Sequence, residues 1–196
     1  MKERVVIAIV GRKGGGGKTT SAAYLAAALH EAGRTVTGID TDPDVSWLKL
    51  HDAGLLPYEV LRGNRDDLHS QIEQAPGDVV IDTPPNDEAI VLLASAVADE
   101  VIAPLTLTGM DAARLMQTLT SVAQVERMRN RPLASVLVTK YRPRLIVARE
   151  LLAELEERNV PILEAKIPLL TAYEAYGTPT YLDDYRAVLE ELEVLE

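Results

Sequence analysis

Short apolar runs alternate with amphipathic stretches along most of the chain. Strand-like runs lie at Val5–Val10, Thr35–Ile39, Val79–Ile81, Val101–Leu105 and Leu133–Val138. Between them the spacing predicts a first helix from Lys18 to Ala32. It carries Ala22, Leu25, Ala28, Leu29 and Ala32 on one face and stops at Gly33, a residue suited to the left-handed position after a helix. Further helices are predicted over Glu88–Ala98, Asp111–Met128, Arg144–Arg158 and Asp183–Leu195. The last places Tyr185, Val188, Leu189 and Leu192 on one stripe and acids elsewhere, so it packs on the body of the domain. Repeated strand–helix crossovers predict an α/β fold: one doubly wound, mostly parallel sheet with helices on both faces.

Composition narrows this picture. A chain of 196 residues, 47% of them apolar, is the size of one domain with one substantial core, and no repeat or linker interrupts it. The absence of cysteine excludes a disulfide framework, a thiolate zinc site and a cysteine-held iron–sulfur cluster, and it suits a reducing compartment. No apolar stretch approaches the ~20 residues that span a bilayer, and the N-terminus lacks a signal-peptide pattern, so the expected location is the cytoplasm.

The formal charge of -10 opposes contact with nucleic acid unless basic residues are segregated. They are: from Arg114 to Arg149 the local balance is +7, which leaves -17 for the rest of the chain. A solvated helix face explains such a run as readily as a binding surface does.

The sharpest chemistry lies where the first strand ends. Four consecutive glycines, Gly14, Gly15, Gly16 and Gly17, lead into Lys18-Thr19-Thr20 at the start of the first helix. Glycines let backbone N–H groups curl around a polyphosphate, and the helix N-terminus adds partial positive charge. Lys18 suits the β- and γ-phosphates, and the Thr19 hydroxyl suits Mg²⁺. Together these predict a P-loop that binds ATP with Mg²⁺. Asp82, closing a buried strand beside the loop, suits a carboxylate that holds Mg²⁺ through water; its plainer reading is a cap on the turn before Pro84-Pro85. Asp42-Pro43 reads equally as a helix N-cap followed by a first-turn proline.

The general pattern G-x-x-x-x-G-K-[ST] requires glycine where Arg12 stands. The segment matches instead the deviant form K-G-G-x-G-K-[ST], with Lys13 before the glycines. At these residues the chain resembles the ParA/MinD family of deviant Walker ATPases. Three more segments extend the likeness: Ile39-Asp40-Thr41-Asp42-Pro43, Val79-Val80-Ile81-Asp82-Thr83-Pro84-Pro85, and Ile167-Pro168 followed by Tyr173-Glu174-Ala175 and Gly177-Thr178-Pro179. Within the family it looks most like short ParA-type partition ATPases, with no room before Val5 for an added DNA-reading domain.

The resemblance implies roles. Asp42 would orient the attacking water and Asp40 would support the magnesium shell. Lys13 would cross a dimer interface to the partner's phosphates, so that ATP favours a homodimer and hydrolysis releases it. Lys140 and Pro168 match positions near the adenine. The family binds nonspecific DNA through dispersed arginines and lysines, which implicates Arg142, Arg144 and Arg149, with Arg127, Arg129 and Arg131 as additions to the same surface. A ParB-type centromere-binding protein would be the stimulating partner, and slow turnover would suit a timer. The expected activity is ATP hydrolysis in the service of positioning a DNA cargo.

Two rival readings share the site. A MinD-like membrane-surface protein needs a basic amphipathic tail, which Asp183–Glu196 lacks, so no membrane contact is expected. A non-hydrolysing regulator is opposed by the joint presence of Lys13, Lys18, Thr19, Asp42 and Asp82. The missing cysteines exclude a nitrogenase-reductase-like protein. His30, His51 and His69 have no metal-ligand spacing and are expected at surfaces, Trp47 is expected to pack, and Tyr173, Tyr176, Tyr181 and Tyr185 read as packing anchors. Met110 and Met116 are expected to fill core gaps or a subunit seam.

Overall fold

The structure is a computed structural model that describes residues 3–107, 109–131, 133–174 and 182–196. The predicted segment around Ala175, Gly177-Thr178-Pro179, Tyr176 and Tyr181 lies outside the described residues, as does the Met110 side chain.

Seven strands form one parallel sheet: β1 (Val6–Ile9), β2 (Val36–Asp40), β3 (Glu59–Arg62), β4 (Asp78–Asp82), β5 (Glu100–Thr106), β6 (Ala134–Tyr141) and β7 (Ile162–Pro168), in the order β3-β2-β4-β1-β5-β6-β7. The helices are α1 (Lys18–Glu31), α2 (Ser46–Asp52), α3 (Leu68–Gln74), α4 (Glu88–Val97), α5 (Gly109–Arg129), α6 (Ile146–Glu157), α7 (Thr171–Glu174) and α8 (Asp183–Glu191). The five predicted strands and five predicted helices are present; β3, β7, α2, α3 and α7 are additional.

The central strands β4, β1 and β5 are apolar between their ends because both faces of the sheet are covered. In β1 and its flanks, Val5, Ile7 and Ile9 join one buried cluster with α1, α2 and α8, while Val6, Ala8 and Val10 join the other with residues of α3, α4, α5 and α6. Gly38 in β2 admits the fully buried Trp47 of α2, since a Cβ there would stand 2.6 Å from the indole. Trp47 Nε1 donates to the Tyr58 hydroxyl at 3.2 Å, so its role is packing, as expected.

α1 ends as its sequence predicts. Gly33 has φ +80°, its N–H bonds the His30 carbonyl at 2.9 Å, and the Arg34 N–H bonds the Leu29 carbonyl at 3.1 Å, the paired contacts of a Schellman stop. The last helix ends sooner than its stripe suggests. Glu193 takes φ +56° and the Val194 N–H turns back to the Leu189 carbonyl at 2.8 Å, so the segment stops at Glu191 and only Tyr185, Val188 and Leu189 of the stripe are fully buried.

Arg34 and Asp78 form a buried two-pronged pair, Nη2 to Oδ1 at 2.7 Å and Nε to Oδ2 at 2.5 Å, and Asp78 also accepts the Val5 N–H at 2.9 Å. At the sheet edge, the Glu191 carboxylate accepts the backbone N–H groups of Glu164 at 2.7 Å and Ala165 at 2.9 Å, covering part of β7. The histidines sit toward the surface and Met116 is 36% exposed, so Met116 fills no core gap.

Candidate nucleotide site

Sheet register gathers the site. Asp40 of β2 and Ile9 of β1 both lie opposite Asp82 of β4, so three strands end side by side and release their loops at one edge. From β1 the chain moves to β2 and β3, returns in β4, and then crosses β1 to β5; ligands of open α/β sheets lodge where loops diverge in this way. A cavity of about 440 Å³ opens there, beside Gly14, Gly15, Gly17, Lys18, Thr19 and Thr20.

The loop's glycines have distinct reasons. Gly15 and Gly17 have φ of +75° and +90°, which side chains rarely tolerate, and a Cβ on Gly14 or Gly15 would enter open space. Thr139 of β6 braces the loop from below, donating its hydroxyl to the Gly16 carbonyl at 3.2 Å. Lys18 is 7% exposed and donates to the Lys13 carbonyl at 2.9 Å, spanning the loop. Burial lowers its pKa, while the charges of Asp82 and Asp42 oppose that shift.

Asp82 is fully buried. Its Oδ2 accepts the Thr19 hydroxyl at 2.6 Å, and its Oδ1 is a buried oxygen with no hydrogen-bond partner. Burial pushes the carboxyl up to about 7, against the Thr19 hydrogen bond and Lys18, with Asp40 and Asp42 adding to the rise. An orphaned carboxylate oxygen beside a threonine hydroxyl, at the mouth of an open glycine loop, fits a hydrated Mg²⁺ bound with a polyphosphate. Among the described residues, no group of three or more His, Cys, Asp or Glu could hold a metal ion.

Asp40 and Asp42 separate here. Asp40 is fully buried and its carboxylate is taken up by backbone: Oδ1 accepts from Asp42 N–H at 3.1 Å, and Oδ2 from Trp47 and Leu48 N–H at 3.0 and 3.1 Å. Burial raises its pKa and those N–H groups hold the rise in check. Its direct work is to staple the loop between β2 and α2. Asp42 faces the cavity and its Oδ1 accepts the Asp44 N–H at 3.0 Å. The helix-cap reading of Asp42-Pro43 is corrected: α2 begins at Ser46 with Val45 as its N-cap, and Asp42 to Val45 form a turn.

Lys140 and Pro168 both border the cavity, Lys140 with a left-handed backbone at φ +52°. Sequence reasoning missed the aromatic end. Tyr24, Tyr173 and Tyr185 also line it, with ring centroids 5.0 to 5.6 Å apart. Tyr24 stands four residues after Thr20, one turn further along the face that starts at the loop, and that spacing is the available signal. Lys13 does not border this cavity; it lies across the loop, with Nζ 3.4 Å from the Thr106 hydroxyl of β5.

The six arginines do not share one surface. Arg142, Arg144 and Arg149 are exposed at the site edge of the sheet, beside the exposed Leu145, Ile146 and Val147. Arg127, Arg129 and Arg131 lie at the other end of β6, about 25 Å away for eight residues of strand. There Arg129 donates to the carbonyls of Ser95, Ala96 and Ala98, and Arg131 to that of Asp99 at 3.0 Å, which closes the C-terminus of α4. No helix of the described residues is long and apolar enough to cross a membrane.

Residues 7–178 match the CobQ/CobB/MinD/ParA nucleotide binding domain. The chain is 32% identical over 197 residues to maintenance of carboxysome distribution protein A of Gloeobacter kilaueensis, covering 97% of this chain and 84% of that one. It is 29% identical over 179 residues to Protein ParA of Rhizobium radiobacter, covering 87% and 81%. Cobyrinic acid a,c-diamide synthase of Mycobacterium smegmatis, solved with an ATP analog and magnesium, has the same fold, with TM-score 0.76 at 24% identity over 97% of this chain and 94% of that one. A P-loop at the end of β1 and aspartates closing β2 and β4 beside it agree with the match over residues 7–178: this chain belongs to the CobQ/CobB/MinD/ParA nucleotide-binding family.

Proposed function

We propose that this protein is an ATP-hydrolysing switch that pairs with a second copy when ATP is bound, holds nonspecific DNA in that state, and so positions a cargo. The observation that carries the reading is the pairing of Thr19 with Asp82 under an open glycine loop that has Lys18 inside the cavity and Lys13 across the loop from it. Thr19 and a water on Asp82 would ligate Mg²⁺, which supplies positive charge to the phosphate oxygens. Lys18 would bind the β- and γ-phosphates, Asp42 would orient the attacking water, and Lys13 would serve the neighbouring subunit's phosphates. Tyr24, Lys140 and Pro168 would bound the base.

Arg142, Arg144 and Arg149 would contact DNA phosphates without reading sequence. A ParB-type protein would be the natural activator for a DNA cargo. The name of the relative at 32% identity favours a second reading, in which the cargo is a protein assembly such as a carboxysome.

DNA co-sedimentation with ATP, with ADP and without nucleotide, at low and high salt, tests the DNA half, and phosphate release tests hydrolysis. Binding confined to ATP and low salt supports the proposal. Binding indifferent to nucleotide and salt refutes it.

A further inference from the structure

Arg12 occupies the position where ordinary phosphate loops carry glycine, and its side chain is not part of the nucleotide cavity. It turns outward instead. Its Nη2 lies 3.0 Å from Glu88 Oε1 and donates to Ser121 Oγ at 3.2 Å, and Ser121 Oγ donates to the same Glu88 oxygen at 2.8 Å. Three contacts thus close a ring between the P-loop, the first turn of α4 and the middle of α5.

Each end of that ring is wired to the chemistry. Arg12 is the residue before Lys13. Glu88 is joined to Asp82 by a short stiff segment, in which Pro84 and Pro85 fix φ, Asn86 turns at φ +63°, and Asp87 caps α4 by accepting the Ile90 N–H at 3.1 Å. Asp87 is held in turn by Arg65 at 2.6 Å, so two adjacent acids at the start of α4 are each paired with an arginine.

We infer that Arg12 is a positioning residue. With Glu88 and Ser121 it latches the P-loop to α4 and keeps Lys13 and Asp82 at the spacing that hydrolysis requires. The inference rests on the ATPase reading above and adds a device to it. The pair is accessible, with side-chain exposures of 30% and 52%, so it contributes little to stability and can open and close without unfolding anything.

The test uses the full chain with Arg12→Gln, Glu88→Gln and the double variant. It measures the Kd of a fluorescent ATP analogue, kcat, and hydrogen exchange over residues 86–92 without nucleotide. Each single change is expected to lower kcat roughly three- to tenfold, to leave Kd within about twofold, and to speed exchange at the first turn of α4; the double variant is expected to lose no more than the worse single. Ser121→Ala is expected to fall between wild type and the singles. Unchanged kcat in the singles, losses that multiply in the double, or a Kd that weakens in step with kcat overturns the latch. A wild type that binds ATP without turning it over brings down the ATPase reading and the latch with it. A wild type that turns over ATP, beside singles with equal kcat, brings down the latch alone.

Discussion

Replacing Asp82 by Asn removes a charge that the nucleotide-free fold holds at a cost. The carboxyl is fully buried, one oxygen has no partner, and burial lifts its pKa from 3.8 to about 7. Because the folded chain holds this proton more tightly than the unfolded chain, stability is full below pH 3.8, declines as pH rises toward 7, and is flat above it. A rise from 3.8 to about 7 corresponds to roughly 4 kcal/mol above neutrality, at about 1.36 kcal/mol per pH unit. The pull of Lys18 and the Thr19 hydrogen bond are already contained in that shift, but the asparagine amide brings buried N–H donors of its own that lack a partner, which reduces the net gain to about 2 kcal/mol. Asp82→Asn is therefore expected to raise the Tm of nucleotide-free protein in chelator by about 4–8 °C at pH 8, and by much less at pH 5. Thermal scans at the two pH values, followed by ATP titrations with and without Mg²⁺, make the measurement. Equal Tm increments at both pH values, or a lower Tm at pH 8, would refute the reasoning; retained magnesium dependence of ATP binding would refute the assignment of Asp82.

Lys13→Ala is expected to leave ATP binding in place while abolishing ATP-linked pairing and hydrolysis, read by light scattering and phosphate release. Replacing Arg142, Arg144 and Arg149 by Ala is expected to flatten the salt dependence of DNA affinity by up to about 3 in log–log slope, about 0.9 per lost phosphate contact. Arg129→Ala is expected to leave that slope unchanged and to lower stability by about 1 kcal/mol through the exposed end of α4. Asp78→Ala leaves the Arg34 guanidinium buried without its carboxylate, and denaturant unfolding is expected to show a loss of about 3 kcal/mol.

The elements legible in the sequence are those whose composition is forced by burial. β1 is apolar on both faces and reads as an unbroken run, β4 carries Val79, Val80 and Ile81 between its two aspartates, and the P-loop declares itself because φ near +75° and +90° at Gly15 and Gly17 calls for glycine. β3 and β7 escaped notice as edge strands: Glu59 and Arg62 face water in one, and Glu164 breaks the apolar run in the other. α2 and α3 are seven residues each, too short for a helical period to rise above the loop around them. At the site, charge and spacing singled out Lys18 and Thr19, which border the cavity, and Asp82, which accepts the Thr19 hydroxyl. They did not separate the roles of Asp40 and Asp42, because which carboxylate collects backbone N–H groups depends on the path of a loop. The arginine cluster misled for a related reason: nearness along the chain spans an eight-residue strand, and a strand carries its two ends to opposite poles.

The Glu191 carboxylate on Glu164 and Ala165 bears on self-assembly. An uncovered outer strand is a template on which another chain can continue the ladder, and here two of its donors are already occupied by the protein's own final helix. Continuing the sheet into a second copy from this side would first have to evict an acidic plug, so β7 is guarded against that kind of growth.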